Sequence, residues 1–333
     1  MSRSPFVFFG TCRDFPLYKR CGSFYYIIGV RASCPRWGTE MIKYIWFCCL
    51  STLLFFGITV AETSDNAVTA QPALHFAPLP MENREAVFKQ FEPIRIYLEK
   101  ITGREVVFKY FDNYSFLLNN FIRGGIDLAY LGPLPYVELR SQYSDAEPLV
   151  TFREVSGKSG YTCSLITLPE NQLQLSAIKG KRVALTQPLS TCGYLSVNGL
   201  LEKHGSSLEK NRYCYLGRHD AVALAIVRSE FDIGGVKTEI AHKYEHLGLE
   251  LVEETDTFPG FALVSNRATV DPATAETIRE SFDELQPHGK DREMLSGWAD
   301  KLANGAVPAT DKQYDIIRHL LGDILIPAKD NCQ

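Results

Sequence analysis

From residue 74 onward, short apolar runs alternate with longer stretches whose apolar positions recur at helical spacing. Leu74-His75-Phe76-Ala77 reads as a strand, and Val87, Phe88, Phe91, Ile94, Tyr97, Leu98 and Ile101 then share one face of a helix over 84–100, closed by Gly103. Residues 106–111 predict a second strand, 115–123 a helix, and 127–131 a third strand that runs into Gly132-Pro133. A second series follows the strand 148–154 and the Gly/Ser-rich stretch 156–160. Its strands fall near 161–167, 182–185, 212–216, 231–236 and 250–253, with helices near 193–204, 220–228 and 238–247. After Phe258-Pro259-Gly260 come a strand at 261–266 and a mainly helical tail, with N-cap candidates at Asp271 and Thr310. Such alternation builds mainly parallel sheets covered by helices. The expected fold is α/β in two lobes, 74–155 plus 258–333 and 156–257, with the chain crossing near 150–160 and back near 255–262.

Upstream the pattern changes. Residues 41–61 place Lys43 before an uncharged apolar run that ends in small residues, as a secretory signal does. The run 44–60 is at the short edge of a bilayer span, so an uncleaved anchor is the alternative. Residues 1–40 suit neither a signal nor a domain, and Met41 is the expected start, with 1–40 a gene-model extension and 62–73 a linker. The whole chain has 35 basic and 39 acidic residues; without residues 1–61 it has 28 against 37, a net of −9. A chain this acidic, with no basic cluster, repels a nucleic-acid backbone. Four of the nine cysteines remain in the mature part, Cys163, Cys192, Cys214 and Cys332. Export favours disulfides among them, and no metal-ligand spacing is present, so neither a metal nor a cofactor is expected.

The strongest chemical signal is the strand 183–185 running through Thr186-Gln187-Pro188-Leu189 into Ser190-Thr191-Cys192-Gly193 and an apolar helix. Successive N–H groups and two hydroxyls at a helix start form an anion cradle. An ordinary helix cap is the competing reading. Gly217-Arg218-His219-Asp220 repeats the strand-end, helix-start arrangement, with His219 as a donor to an oxyanion and Asp220 as the cap. Three further turns lie where open α/β sheets gather ligands: Tyr114 in 112–115, Tyr130 and Gly132 in 130–136, and Lys237 with Glu239 in 234–239. Packing aromatics and solvated charges explain each of these equally well in isolation.

In sequence order, GPLPY at 132–136, QPLSTCGYL at 187–195 and GRHDAVALAIVRSEFDIGGVK at 217–237 resemble the phosphate-, phosphite- and phosphonate-type solute-binding components of ABC transporters. The resemblance covers about residues 74–320. It implies a type II periplasmic binding protein fold, two Rossmann-like lobes joined by a two-crossover hinge with the ligand in the cleft. It also implies a monomer exported to the periplasm that delivers its ligand to a membrane permease. In that family a Ser-Thr-Ser loop and a facing histidine hold the phosphoryl oxygens; those roles fall on Ser190, Thr191, the Cys192 position and His219, with Tyr114 closing over them. Cys192 replaces the third hydroxyl with a weaker side-chain donor; Leu131 and Phe261 depart from aminophosphonate binders, though Glu239 matches another acidic position of theirs, and the balance points to a compact ligand.

Cys192 has two expected fates: a disulfide with Cys163 or Cys214, or a thiol activated by the helix start and able to take a metalloid such as arsenite. Two functional alternatives stand beside transport. An enzyme would need a placed nucleophile or metal, and the sequence places neither, so no enzymatic activity is expected. An oxyanion sensor partnering a membrane histidine kinase would use the same fold and pocket.

Overall fold

The computed structural model describes residues 71–332. The expected extension 1–40, the signal 41–61 and most of the linker 62–73 lie outside the described residues. The strands, in chain order, are β1 (Leu74–Pro78), β2 (Val106–Phe108), β3 (Leu128–Leu131), β4 (Ala146–Phe152), β5 (Gly160–Tyr161), β6 (Cys163–Thr167), β7 (Arg182–Leu185), β8 (Arg212–Tyr215), β9 (Ile233–Lys237), β10 (Glu250–Glu254), β11 (Phe258–Pro259), β12 (Ala262–Asn266) and β13 (Ala306–Pro308). The helices are α1 (Arg84–Thr102), α2 (Tyr114–Ile122), α3 (Pro133–Gln142), α4 (Ser196–Lys203), α5 (His219–Val227), α6 (Thr238–Tyr244), α7 (Pro272–Asp283), α8 (Arg292–Leu295) and α9 (Asp315–Leu321).

Two sheets organise these elements. The first has the order β13-β4-β12-β3-β1-β2, with β1, β2 and β3 parallel and β12 antiparallel to its neighbours. The second has the order β10-β6-β9-β7-β8, in which β7 runs parallel to β8 and β9. The short antiparallel pair β5 and β11 carries the chain between them in each direction. The helical spacing of α1 is explained by its packing: Val87, Phe91, Ile94, Tyr97 and Leu98 are buried, Asn83 caps the start by accepting from Ala86 N, and Gly103 closes it at φ 65°. Each large apolar side chain so buried contributes about 1.5–3 kcal/mol.

The tail departs from expectation. After α9 it leaves the first sheet, and Ile324 and Ile326 pack against the apolar clusters of both sheets. It then runs beside β8, where Asn331 Oδ1 accepts from Tyr213 N at 2.6 Å and Asp330 Oδ2 from Tyr215 N at 3.0 Å. Cys332 is bonded to Cys214, with Cα atoms 5.1 Å apart. Residues 327–332 therefore lie with the second sheet, although the sequence reading keeps 258–333 together. The physical reason is that β8 is an edge strand whose free N–H groups need acceptors. Among the described residues no helix is long and apolar enough to cross a membrane.

Candidate functional site

A cavity of ≈ 880 Å³ lies between the sheets. Tyr114, Tyr130 and Gly132 reach it from the first sheet, and Ser190, Thr191, Cys192, His219, Asp220, Lys237 and Glu239 from the second. Of the residues expected from sequence, Gly193 alone is not in the lining. Its N–H donates to Ser190 O at 2.9 Å. A Cβ there would stand 2.9 Å from Thr186 Oγ1 and 3.0 Å from Gln187 O, so glycine is needed for the loop to fold back on itself.

The helix after the loop begins later than the apolar spacing suggests. Thr191–Leu195 form a single π-type turn, broken at Gly193 (φ −89°, ψ −122°), and the regular helix α4 starts at Ser196. Two contacts hold this turn against the second sheet. Cys192 is bonded to Cys163 of β6, with Cα atoms 5.1 Å apart. Cys192 O also packs on Gly235 of β9, where a Cβ would come within 2.7 Å of it and 2.2 Å of Val197 Cγ2. The free-thiol reading of Cys192, and metalloid capture with it, does not fit a bonded sulfur; Cys214 is bonded elsewhere. The N–H groups of Thr191 and Cys192 have no backbone acceptor among the described residues, and both residues line the cavity. Ser190, at the N-cap position, makes no side-chain cap bond.

Contacts from the first sheet close over the loop. Tyr114 N donates to Gln187 Oε1 at 3.2 Å, and Leu134 N to Thr191 Oγ1 at 3.0 Å. Gln187 Nε2 also donates to Gly217 O at 3.1 Å, which joins both ligand loops of the second sheet. Tyr130 stacks on Phe261 at 5.1 Å, and burial pushes its hydroxyl well above the usual range.

His219 is the first residue of α5, and its Nδ1 accepts from Lys237 N at 3.1 Å. That bond places the ring proton on Nε2 and makes it a donor. Burial, reinforced by Lys237, lowers the imidazole pKa to about 4, so the ring is neutral near pH 7. Because α5 starts at His219, Asp220 does not cap it. Asp220 accepts from Arg218 Nε at 3.1 Å in the first turn, where a carboxylate suits the helix dipole.

Lys237 is paired twice, with Glu154 Oε2 at 2.7 Å and Glu239 Oε2 at 2.9 Å, and its Nζ lies 5.3 Å from the Tyr161 ring centroid. Burial raises the Glu154 carboxyl while Lys237 opposes it. Glu154, Tyr161, Gln187 and Lys301 are functional candidates that sequence reasoning passed over. Glu154 and Tyr161 flank the expected crossover, a usable signal. Lys301, in the tail after α8, carries none. No group of His, Cys, Asp or Glu among the described residues is arranged to hold a metal.

Two α/β sheets joined by paired crossover strands around a cleft rich in donors define a type II periplasmic binding protein. Solved structures agree on that fold. PhnD1 from Prochlorococcus marinus in complex with methylphosphonate superposes with a TM-score of 0.66 at 19% identity, covering 75% of this chain and 97% of that one. The binding protein component of an ABC phosphonate transporter from Pseudomonas aeruginosa gives 0.64 at 20% identity, over 75% and 85%. Residues 76–314 match the family model described as ABC transporter, phosphonate, periplasmic substrate-binding protein, and the chain belongs to that family. It is also 30% identical over 286 residues to the phosphate-import protein PhnD of Mycolicibacterium smegmatis, spanning 79% of this chain and 87% of that protein. The family consists of periplasmic transport components that bind a small ligand and serve a membrane permease; it is not a family of enzymes.

Proposed function

We propose that this protein captures a small phosphorus oxyanion, phosphate, phosphite or a compact phosphonate, as a monomer and delivers it to an ABC importer, exported on the 41–61 segment. The observation that carries this reading is convergence: Ser190, Thr191, Cys192 and His219 line one cavity, with the N–H groups of Thr191 and Cys192 lacking backbone acceptors and His219 left with a donor at Nε2. All are donors, as a tetrahedral oxyanion requires. The disulfide to Cys163 holds the loop at the Cys192 position, where the backbone N–H does the work of the missing hydroxyl. Tyr114 and Tyr130 would close over the bound anion as the lobes, 74–155 with 258–326 and 156–257 with the tail, rotate about β5 and β11. Asp220 or Glu239 would accept from a protonated ligand oxygen. The phosphate import of the mycobacterial relative and the methylphosphonate in the Prochlorococcus complex support the same chemistry. A sensory role would use the same cleft, but the family is one of transport components.

The test is a thermal-shift and calorimetric panel of phosphate, phosphite, methylphosphonate, 2-aminoethylphosphonate, sulfate and arsenate. A true ligand at 100 times its Kd stabilises the fold by about 2.7 kcal/mol. Methylphosphonate, phosphite or phosphate should raise Tm, and 2-aminoethylphosphonate should trail them, because Leu131 and Phe261 offer its ammonium no polar partner. Absence of a shift with every phosphorus oxyanion would refute the proposal.

A further inference from the structure

Of the two largely buried ammonium groups in the cavity wall, Lys301 is the less compensated. Its side chain is 17% exposed, and the nearest carboxylate oxygen, Glu82 Oε1, is 3.8 Å from Nζ. That same oxygen accepts from Gln90 Nε2 at 2.6 Å, so its closer engagement is elsewhere. Lys237, by contrast, has two carboxylates within 2.9 Å. Burial brings the Lys301 ammonium down to about 8, with a push from Lys237 and against the pull of Glu82 and, more weakly, of Glu239 and Glu154. An ammonium buried with so little compensation calls for an anion.

The position of Lys301 says which anion. Its Nζ lies 5.3 Å from the Phe91 ring centroid, Phe91 meets the edge of Tyr130 at 4.8 Å, and Tyr130 stacks on Phe261 at 5.1 Å. Lys237 lies over Phe261 at 5.9 Å. The two ammonium groups thus flank Tyr130 on an aromatic wall supplied by the first sheet, whereas the Ser190 loop and His219 come from the second. The cavity of ≈ 880 Å³ is also far larger than one oxyanion needs. At about 30 Å³ per liquid water, a five-atom oxyanion replaces only a few waters. A neutral substituent in the remaining space would leave Lys301 with Glu82 at 3.8 Å as its nearest carboxylate, and an ammonium would add like charge.

We propose that Lys301, beside the wall formed by Tyr130 and Phe261, is a second anion subsite, and that the best-matched ligand is a phosphonate bearing a carboxylate at its other end. This rests on the phosphoryl reading of the Ser190 loop. Calorimetry of the purified protein with phosphonoacetate and its near-isostere phosphonoacetamide tests it, with methylphosphonate alongside. Phosphonoacetate should bind more tightly than the amide by at least about tenfold, the order of one charge-assisted contact. Lys301→Met should abolish that preference, with Tm held or raised and the acid losing far more affinity than the amide, while Lys301→Arg should restore most of it. Equal affinity for the two compounds in the wild type, or a preference that survives Lys301→Met, overturns the subsite; methylphosphonate binding would then leave the phosphoryl cradle standing. If no phosphorus compound binds, the cradle fails and the subsite falls with it.

Discussion

His219 shows how one backbone contact sets the chemistry of a side chain. Its Nδ1 accepts from Lys237 N, and burial with Lys237 lowers its pKa to about 4. In the unfolded chain the group titrates near about 6.5. Between those values the unfolded state binds the extra proton, so the contribution of His219 to stability is complete above about 6.5 and is lost as pH falls toward 4. Urea unfolding of His219→Ala should therefore vary less with pH across that window than the wild type, and its affinity for methylphosphonate should drop by about 1–3 kcal/mol. Thr191→Val acts on stability as well, because it leaves Leu134 N unpaired at a buried position, at a cost of about 1–3 kcal/mol visible in Tm. Ser190, Thr191 and His219 were legible in the sequence because each stands where an apolar strand gives way to a helix. Lys301 and Glu154 were not, since their role depends on which chain segment the folded tail or crossover is laid against.

At the level of elements, the loop is positioned by β9 and β6 more than by its own helix. Gly235 admits the Cys192 carbonyl and Val197 to within contact of the strand. Gly235→Ala should overpack this junction, at about 1–3 kcal/mol in Tm, and should weaken oxyanion binding in calorimetry by displacing the loop. Cys163→Ala with Cys192→Ala should lower both quantities too, since the bond it removes fastens the loop to β6. The apolar periodicity identified α1 with its caps and the alternation of strand and helix in both sheets, since these follow from local spacing. It misplaced the start of α4. The break at Gly193 is imposed by the fold-back onto Thr186 and the bond to Cys163, and neither leaves a trace in hydrophobic spacing.

On the scale of the whole molecule, the two crossovers were legible as a Gly/Ser-rich stretch and a Phe-Pro-Gly turn. The return of the tail was not, because Asp330 and Asn331 look like any polar terminus until β8 is seen to need acceptors. Cys332→Ser should lower Tm, by up to about 2–4 kcal/mol of stability, and leave ligand affinity nearly unchanged, the opposite of the loop disulfide. Residues 322–326 thus make a third connection between the two bodies, with Ile324 and Ile326 seated against both cores. Five residues reach at most about 17 Å when fully extended, so in a hinge opening this leash would cap the separation of the two bodies. In the hinge motion proposed above, ligand would then enter and leave through an opening of bounded width.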